Sequence, residues 1–132
     1  MAKLSQEMKD MVASQQSFHA TVDKNGVPNI VPKGSTRVVD DETLAFTEGI
    51  GGATYQNILD GSKVASVVVD RETVSGYRFI GTPEVLTSGE AYGQAAEAFE
   101  KIGMPKPKAV ILIHIDEIHD LKPGPTAGKK IS

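Results

Sequence analysis

Ser17-Phe18-His19-Ala20-Thr21-Val22-Asp23, then Asn25-Gly26, then Val27-Pro28-Asn29-Ile30-Val31-Pro32-Lys33 is the stretch from which the fold can be read. In the first run Phe18, Ala20 and Val22 alternate with Ser17, His19 and Thr21, the period of two of a strand. Asn-Gly between two extended runs marks a hairpin, because both residues tolerate positive φ. The return strand carries Pro28 and Pro32, each lacking a backbone donor, which assigns it to an edge or to irregular pairing.

Downstream, Gly34 marks a bulge or a close backbone approach, and Thr36–Val39 is extended. Asp40-Asp41-Glu42 is a polar turn, Thr43–Thr47 a strand, and Gly49–Gly52 a glycine-rich loop entering a short helix, Thr54–Asp60, that stops at Gly61. Val64, Ala65, Val67, Val68 and Val69 predict a central strand over 63–70, buried on both faces. A long strand over 76–87, bent at Gly81 or Pro83, follows. The helix over 89–103, with Ala91, Ala95, Ala98, Phe99 and Ile102 as its inner stripe, reads as a lid on one barrel end. The last strand is 109–121. Upstream, Ser5 caps a surface-docked helix over 5–15 whose apolar positions are Met8, Met11 and Val12, with Leu4 just before the cap. Residues 122–132 show no periodicity and read as a mobile tail. Six or seven strands joined by short turns, with two or three helices, predict one mainly β domain over residues 1–132: an antiparallel barrel with peripheral helices.

The bulk properties narrow the function. A chain of 132 residues with 39% hydrophobic and 23% charged residues is an ordinary globular composition. A net charge of −3 argues against coating nucleic acid. The absence of cysteine excludes disulfides, thiolate metal sites and thiol nucleophiles. No apolar run approaches the roughly 18 residues of a membrane helix, and residues 1–10 lack a signal-peptide core. The expectation is a cytoplasmic protein with no membrane partner.

Two segments carry candidate chemistry. Val31-Pro32-Lys33-Gly34-Ser35-Thr36-Arg37 brings two cations and two hydroxyls onto an extended segment. Gly49 to Asn57 is a glycine-rich loop opening a helix, where free N–H groups favour anions, with Thr54 and Asn57 on one side. Neither a P-loop nor a dinucleotide fingerprint is present. Alone, the cations also fit solvated edge-strand charges, and the loop a plain connector. His19, His114 and His119 are scattered. His114 and Asp116 share a face without a third ligand, so no metal site is expected, and no catalytic residue is identified.

Pro28-Asn29-Ile30-Val31-Pro32-Lys33, then Asp40 and Glu42 with Leu44-Ala45-Phe46-Thr47, Thr54-Tyr55-Gln56-Asn57-Ile58, Lys63-Val64-Ala65 and Gly76-Tyr77-Arg78-Phe79-Ile80-Gly81 succeed one another in an order that resembles the FMN-binding split-barrel family, the pyridoxamine 5′-phosphate oxidase-like group. The similarity spans roughly residues 15 to 120. The resemblance implies a six-stranded antiparallel Greek-key split β-barrel that forms a homodimer, with FMN at the subunit interface. It implies that Val31, Pro32, Lys33, Gly34 and Ser35 run along the isoalloxazine ring and that Thr47, Glu48 and Gly49 lie near ring or ribityl. Thr54 and Asn57, with Tyr55 and Gln56 close by, hold the phosphate end. Lys33 serves either end and favours the anionic reduced ring.

The ending Leu121-Lys122-Pro123-Gly124-Pro125 lacks the arginine-bearing tail that grips pyridoxamine phosphate, so oxidation of that substrate is not expected. With no tryptophan and 5% aromatic residues, stacking on a flavin falls to Tyr55, Tyr77, Tyr92, a phenylalanine or the partner subunit. The resulting expectation is a small oxidoreductase or electron carrier, reduced by a protein partner or by NAD(P)H. The alternatives are a non-catalytic barrel binding haem, through one of the three histidines, or a deazaflavin, and a structural dimer without cofactor.

Overall fold

The structure is a computed structural model that describes residues 2–132; residue 1 of the expected 1–132 domain lies outside the described residues. The elements are α1 (Gln6–Ser14), β1 (Ser17–Val22), β2 (Pro28–Pro32), β3 (Arg37–Asp40), β4 (Thr43–Glu48), α2 (Ala53–Leu59), β5 (Val64–Asp70), β6 (Ser75–Leu86), α3 (Glu90–Lys101), β7 (Ala109–Asp120) and β8 (Lys129–Lys130). Mainly β with three peripheral helices, this is the expected class. Every strand pair is antiparallel, in the order β2-β1-β5-β6-β7-β4-β3 with β8 added beside β7.

Eight strands replace the expected six. The extra count comes from the irregular Lys33–Thr36 turn, which separates β2 from β3, and from the tail. That tail, expected to lack regular structure, turns back so that His119 pairs with Lys130 and Asp120 with Lys129. Ser132 and Ile131 bond the backbone of Ile118, because the end of β7 offers unpaired ladder groups to the chain that follows it.

The path is open at β2 and β3, yet the sheet curls until distant strands meet: the ring of His19 on β1 stacks on Phe46 of β4 at 4.7 Å between centroids. Within the curled sheet β6 shifts register against β7 between Ile80 and Gly81. A Cβ at Gly81 would lie 2.4 Å from the Ile113 side chain and 2.8 Å from the His114 carbonyl, so only glycine permits the strands to close there.

The core runs through the curl: Leu44, Phe46, Val64, Val68, Phe79, Ile111, Ile113 and Ile118 are buried. Ser5 opens α1 with a reciprocal cap, Met8 N donating to Ser5 Oγ and Ser5 N to Met8 Sδ. Its apolar stripe inserts Leu4, Met8, Met11 and Val12 into the same core, a deeper docking than a surface helix.

Two expectations about faces are overturned. β5 is central but alternates, with Val64, Ser66 and Val68 inside and Val69 exposed, so a run of β-branched residues here does not mean burial on both sides. The stripe of α3 is thinner than expected. Only Ala95 is buried, and Ile102 is 69% exposed, because the small side chains of Ala45 and Val110 give the helix a shallow seat.

Candidate functional site

In β1 the polar face points inward. Ser17, His19 and Thr21 are buried, and Phe18 and Val22 are exposed. Polar groups are tolerated inside only when paired, and the side chains of His19 and Thr21 have partners from distant elements. Thr36 Oγ1 donates to the Lys33 carbonyl at 2.8 Å. It therefore accepts from His19 Nε2 at 2.8 Å, which leaves His19 Nδ1 to accept from Ser66 Oγ at 2.7 Å. This assigns a neutral imidazole with its proton on Nε2. Burial, and secondarily the nearby Lys33 charge, pulls the His19 pKa down to about 4. With both ring nitrogens engaged, His19 has no free atom for a haem iron.

The same chain of bonds sets the Lys33–Thr36 turn above the core. Lys33 projects over the Phe46 ring, Nζ 5.5 Å from its centroid, and pairs with Glu48 Oε1 at 3.1 Å. Glu48, the last residue of β4, is 1% exposed. Its second oxygen accepts from Gly51 N at 3.2 Å, which draws the glycine loop inward; Gly51 has φ +78 and meets the Lys108 chain at the Cβ position, a conformation glycine adopts readily. A buried carboxylate thus ties the two candidate segments together and offsets the lysine charge.

Ser35 Oγ accepts from Thr47 N at 2.9 Å. Arg37 Nη1 donates to the Ser35 carbonyl at 2.9 Å and to Thr47 Oγ1 at 3.2 Å. Burial holds the guanidinium below its ordinary pKa.

Of the sequence-derived site residues, the structure gathers Lys33, Gly34, Ser35, Thr47, Glu48 and Gly49 around one groove of about 500 Å³. Its other wall comes from Ile50 and from Phe99, Ile102 and Met104 at the end of α3. A Cβ at Gly34 would meet nothing within 4 Å, so the backbone there is open to a flat ligand. Val31 and Pro32 lie just outside on β2. The residues of α2 do not line this groove: Thr54 and Asn57 face inward, Thr54 Oγ1 accepting from Asn29 Nδ2 at 3.0 Å and Asn57 Nδ2 donating to Thr21 Oγ1 at 3.0 Å. Thr54 keeps its own hydroxyl proton to donate. Tyr55 packs against the core, and Gln56 is exposed and reaches Asp60.

Sequence reasoning missed the α3 wall, assigning Phe99 and Ile102 to a buried stripe. The available signal was Met104 beyond the helix end, which extends the apolar residues past any core-facing helical period. Glu48 was placed near the ligand but not recognised as the partner of Lys33. Among the described residues, no group of three or more histidine, aspartate or glutamate side chains is placed to hold a metal ion, and no helix is long and apolar enough to cross a membrane.

The model of the pyridoxamine 5′-phosphate oxidase family matches residues 4–122. An uncharacterised protein of Methanocaldococcus jannaschii is 35% identical over 136 residues, covering 100% of this chain and 90% of that one. The crystal structure of HupZ from Group A Streptococcus is 44% identical and superposes with a TM-score of 0.83, over 95% of this chain and 99% of that one. An FMN-binding protein from Syntrophomonas wolfei, at 19% identity, shares the fold with a TM-score of 0.73 over 86% of this chain and 82% of that one. The chain belongs to the pyridoxamine 5′-phosphate oxidase family.

Proposed function

We propose that this member of the pyridoxamine 5′-phosphate oxidase family is an FMN-binding flavoprotein, a small oxidoreductase or electron carrier, that works as a homodimer. The observation that carries the reading is the groove between the Lys33–Ser35 and Thr47–Gly49 segments and the end of α3. One side presents hydroxyls, open backbone and an ion pair; the other presents Phe99, Ile102 and Met104. An apolar wall facing a polar edge fits a flat ring system with hydrogen-bonding groups along one side, and the volume lies within the range of ligand sites.

FMN, when bound, supplies the hydride- or electron-transfer chemistry. The chain's own part is to hold and orient it. Gly34 admits the ring plane and Ser35 fixes the strand edge. Lys33 and Glu48 together present a compensated pair, so the site favours an anionic ring less than a lone lysine would.

Dimerisation is supported by the outer face of β2, β1 and β5. Ile30 is 66% exposed, Val22 43% and Phe18 39%. The register aligns Ile30 with Ala20 and Ala65, and Pro32 with Phe18 and Val67, which makes one continuous apolar surface. Because β2 also carries Val31 and Pro32, a second subunit seated there borders the flavin groove.

The test is an absorbance spectrum of the purified protein, before and after adding FMN. A flavin spectrum that bleaches on reduction is expected. A colourless chain that binds no FMN, or one with a haem Soret band, overturns the reading. Ile30→Glu should convert a dimer to a monomer in sedimentation; a wild-type monomer refutes the dimer.

A further inference from the structure

The Lys33–Thr36 turn forms the polar rim of the groove, and two sides of the sheet hold it. Toward β4 it is held by the Ser35–Thr47 bond and by the Lys33–Glu48 pair. Toward β1 it is held by the backbone bond from Lys33 N to the Ser17 carbonyl at 3.2 Å and by His19, whose Nε2 donates to Thr36 Oγ1. Thr36 Oγ1 in turn donates to the Lys33 carbonyl, so one hydroxyl connects the imidazole to the residue that carries the charge of the rim. The other ring nitrogen is anchored on Ser66 of β5, itself 1% exposed. The imidazole stacks on Phe46, the ring over which Lys33 Nζ projects. One buried ring thus joins the rim, the aromatic floor and a central strand. An apolar side chain would fill the same place without needing two polar partners. What the imidazole adds is a link of fixed length and direction.

We propose that His19 is a positioning residue of the groove: through Thr36 it holds the Lys33–Ser35 rim in place over Phe46, and so sets the spacing between that rim and the Phe99 wall. Both imidazole nitrogens are committed to the protein, so His19 acts without touching a ligand. A binding site is only as precise as the residues that lock its lining, and a rim released on its β1 side is free to shift across the opening. That the ligand is FMN rests on the proposed function. The hold on the rim does not.

Three variants separate the link from the packing. His19→Phe keeps the stack and loses both bonds, Thr36→Val keeps the shape and loses the hydroxyl, and Thr36→Ser keeps the hydroxyl. The first readout needs no cofactor: hydrogen exchange at the Thr47 amide, which donates to Ser35 Oγ, measured by NMR relative to the other β4 amides. Exchange there should quicken in His19→Phe and Thr36→Val and stay near wild type in Thr36→Ser. The second readout is FMN affinity per folded molecule, with the visible circular dichroism of the bound ring. Affinity should fall roughly five- to tenfold, the worth of one hydrogen bond, with altered dichroism, and the double variant should lose no more than either single one. Met11→Ala, destabilised in the main core, should change neither readout. If His19→Phe does not fold, Thr36→Val with its Thr36→Ser control decides the matter. Unchanged Thr47 exchange in Thr36→Val overturns the proposal. So does a less stable variant that binds FMN with wild-type affinity and dichroism, or additive losses in the double variant. A wild-type chain that binds no FMN refutes the flavin reading alone, and the Thr47 exchange then decides the positioning role.

Discussion

The helices α1 and α3 are both amphipathic, both lie against the curled sheet, and do opposite things. α1 is nine residues long, reciprocally capped, and sinks Met8, Met11 and Val12 into the main core. α3 is longer, at twelve residues, has no side-chain cap, and buries Ala95 alone. α1 therefore uses its apolar surface on the core, whereas α3 leaves Phe99, Ile102 and neighbouring Met104 facing a groove. The difference teaches where to look for function in a small barrel: not at the best-packed helix, but where apolar side chains remain beside polar groups that are already organised.

If the α3 side is the working side, its integrity should depend on polar partners more than on apolar ones. The largest expected effect is Lys33→Met, which strands the buried Glu48 carboxylate; removing one partner of a buried pair costs about 3–5 kcal/mol. The double variant Lys33→Met/Glu48→Gln should recover most of that loss in urea unfolding. Additive losses in the double variant would show that the pair does not couple the segments.

On the α1 side, Met11→Ala should cost about 2–5 kcal/mol by leaving a cavity, with FMN affinity per folded molecule unchanged. A loss of flavin binding in the folded variant would dissolve the distinction between the two sides.

Between them lies His19. Its folded pKa of about 4 is below the unfolded value near 6.5, so the unfolded state binds a proton that the folded state refuses. Stability is full above about pH 6.5 and falls as pH drops toward 4, by about 3 kcal/mol in all. His19→Gln should remove that slope from a pH series of unfolding midpoints. An unchanged slope would assign it to other groups.

The smallest stability effect belongs to Phe99→Ala, within about 1 kcal/mol because the ring is only partly buried. FMN affinity should nevertheless fall about tenfold, the loss of one apolar contact wall. The opposite outcome, a large stability loss with unchanged FMN affinity, would make α3 a second plug.

Much of this molecule is written locally. The turn after Asn25-Gly26, the cap at Ser5, the bend at Gly81 and the alternation of Ser17–Val22 are decided by φ preferences, donors and side-chain period within a few residues, and these were legible. The order of motifs from Pro28 to Gly81 singled out Lys33 to Ser35 and Thr47 to Gly49, which the structure gathers around one groove. Which face of β1 turns inward was not legible. It depends on Ser66, forty-seven residues from His19, and on Asn57, thirty-six from Thr21, because a polar side chain is stable inside only if the fold brings it a partner. The sequence by itself determined strands, turns and the antiparallel class. The tertiary structure alone decided that Lys33 meets Glu48, that Arg37 meets no acid among the described residues, and that α3 becomes a wall of the groove rather than part of the core.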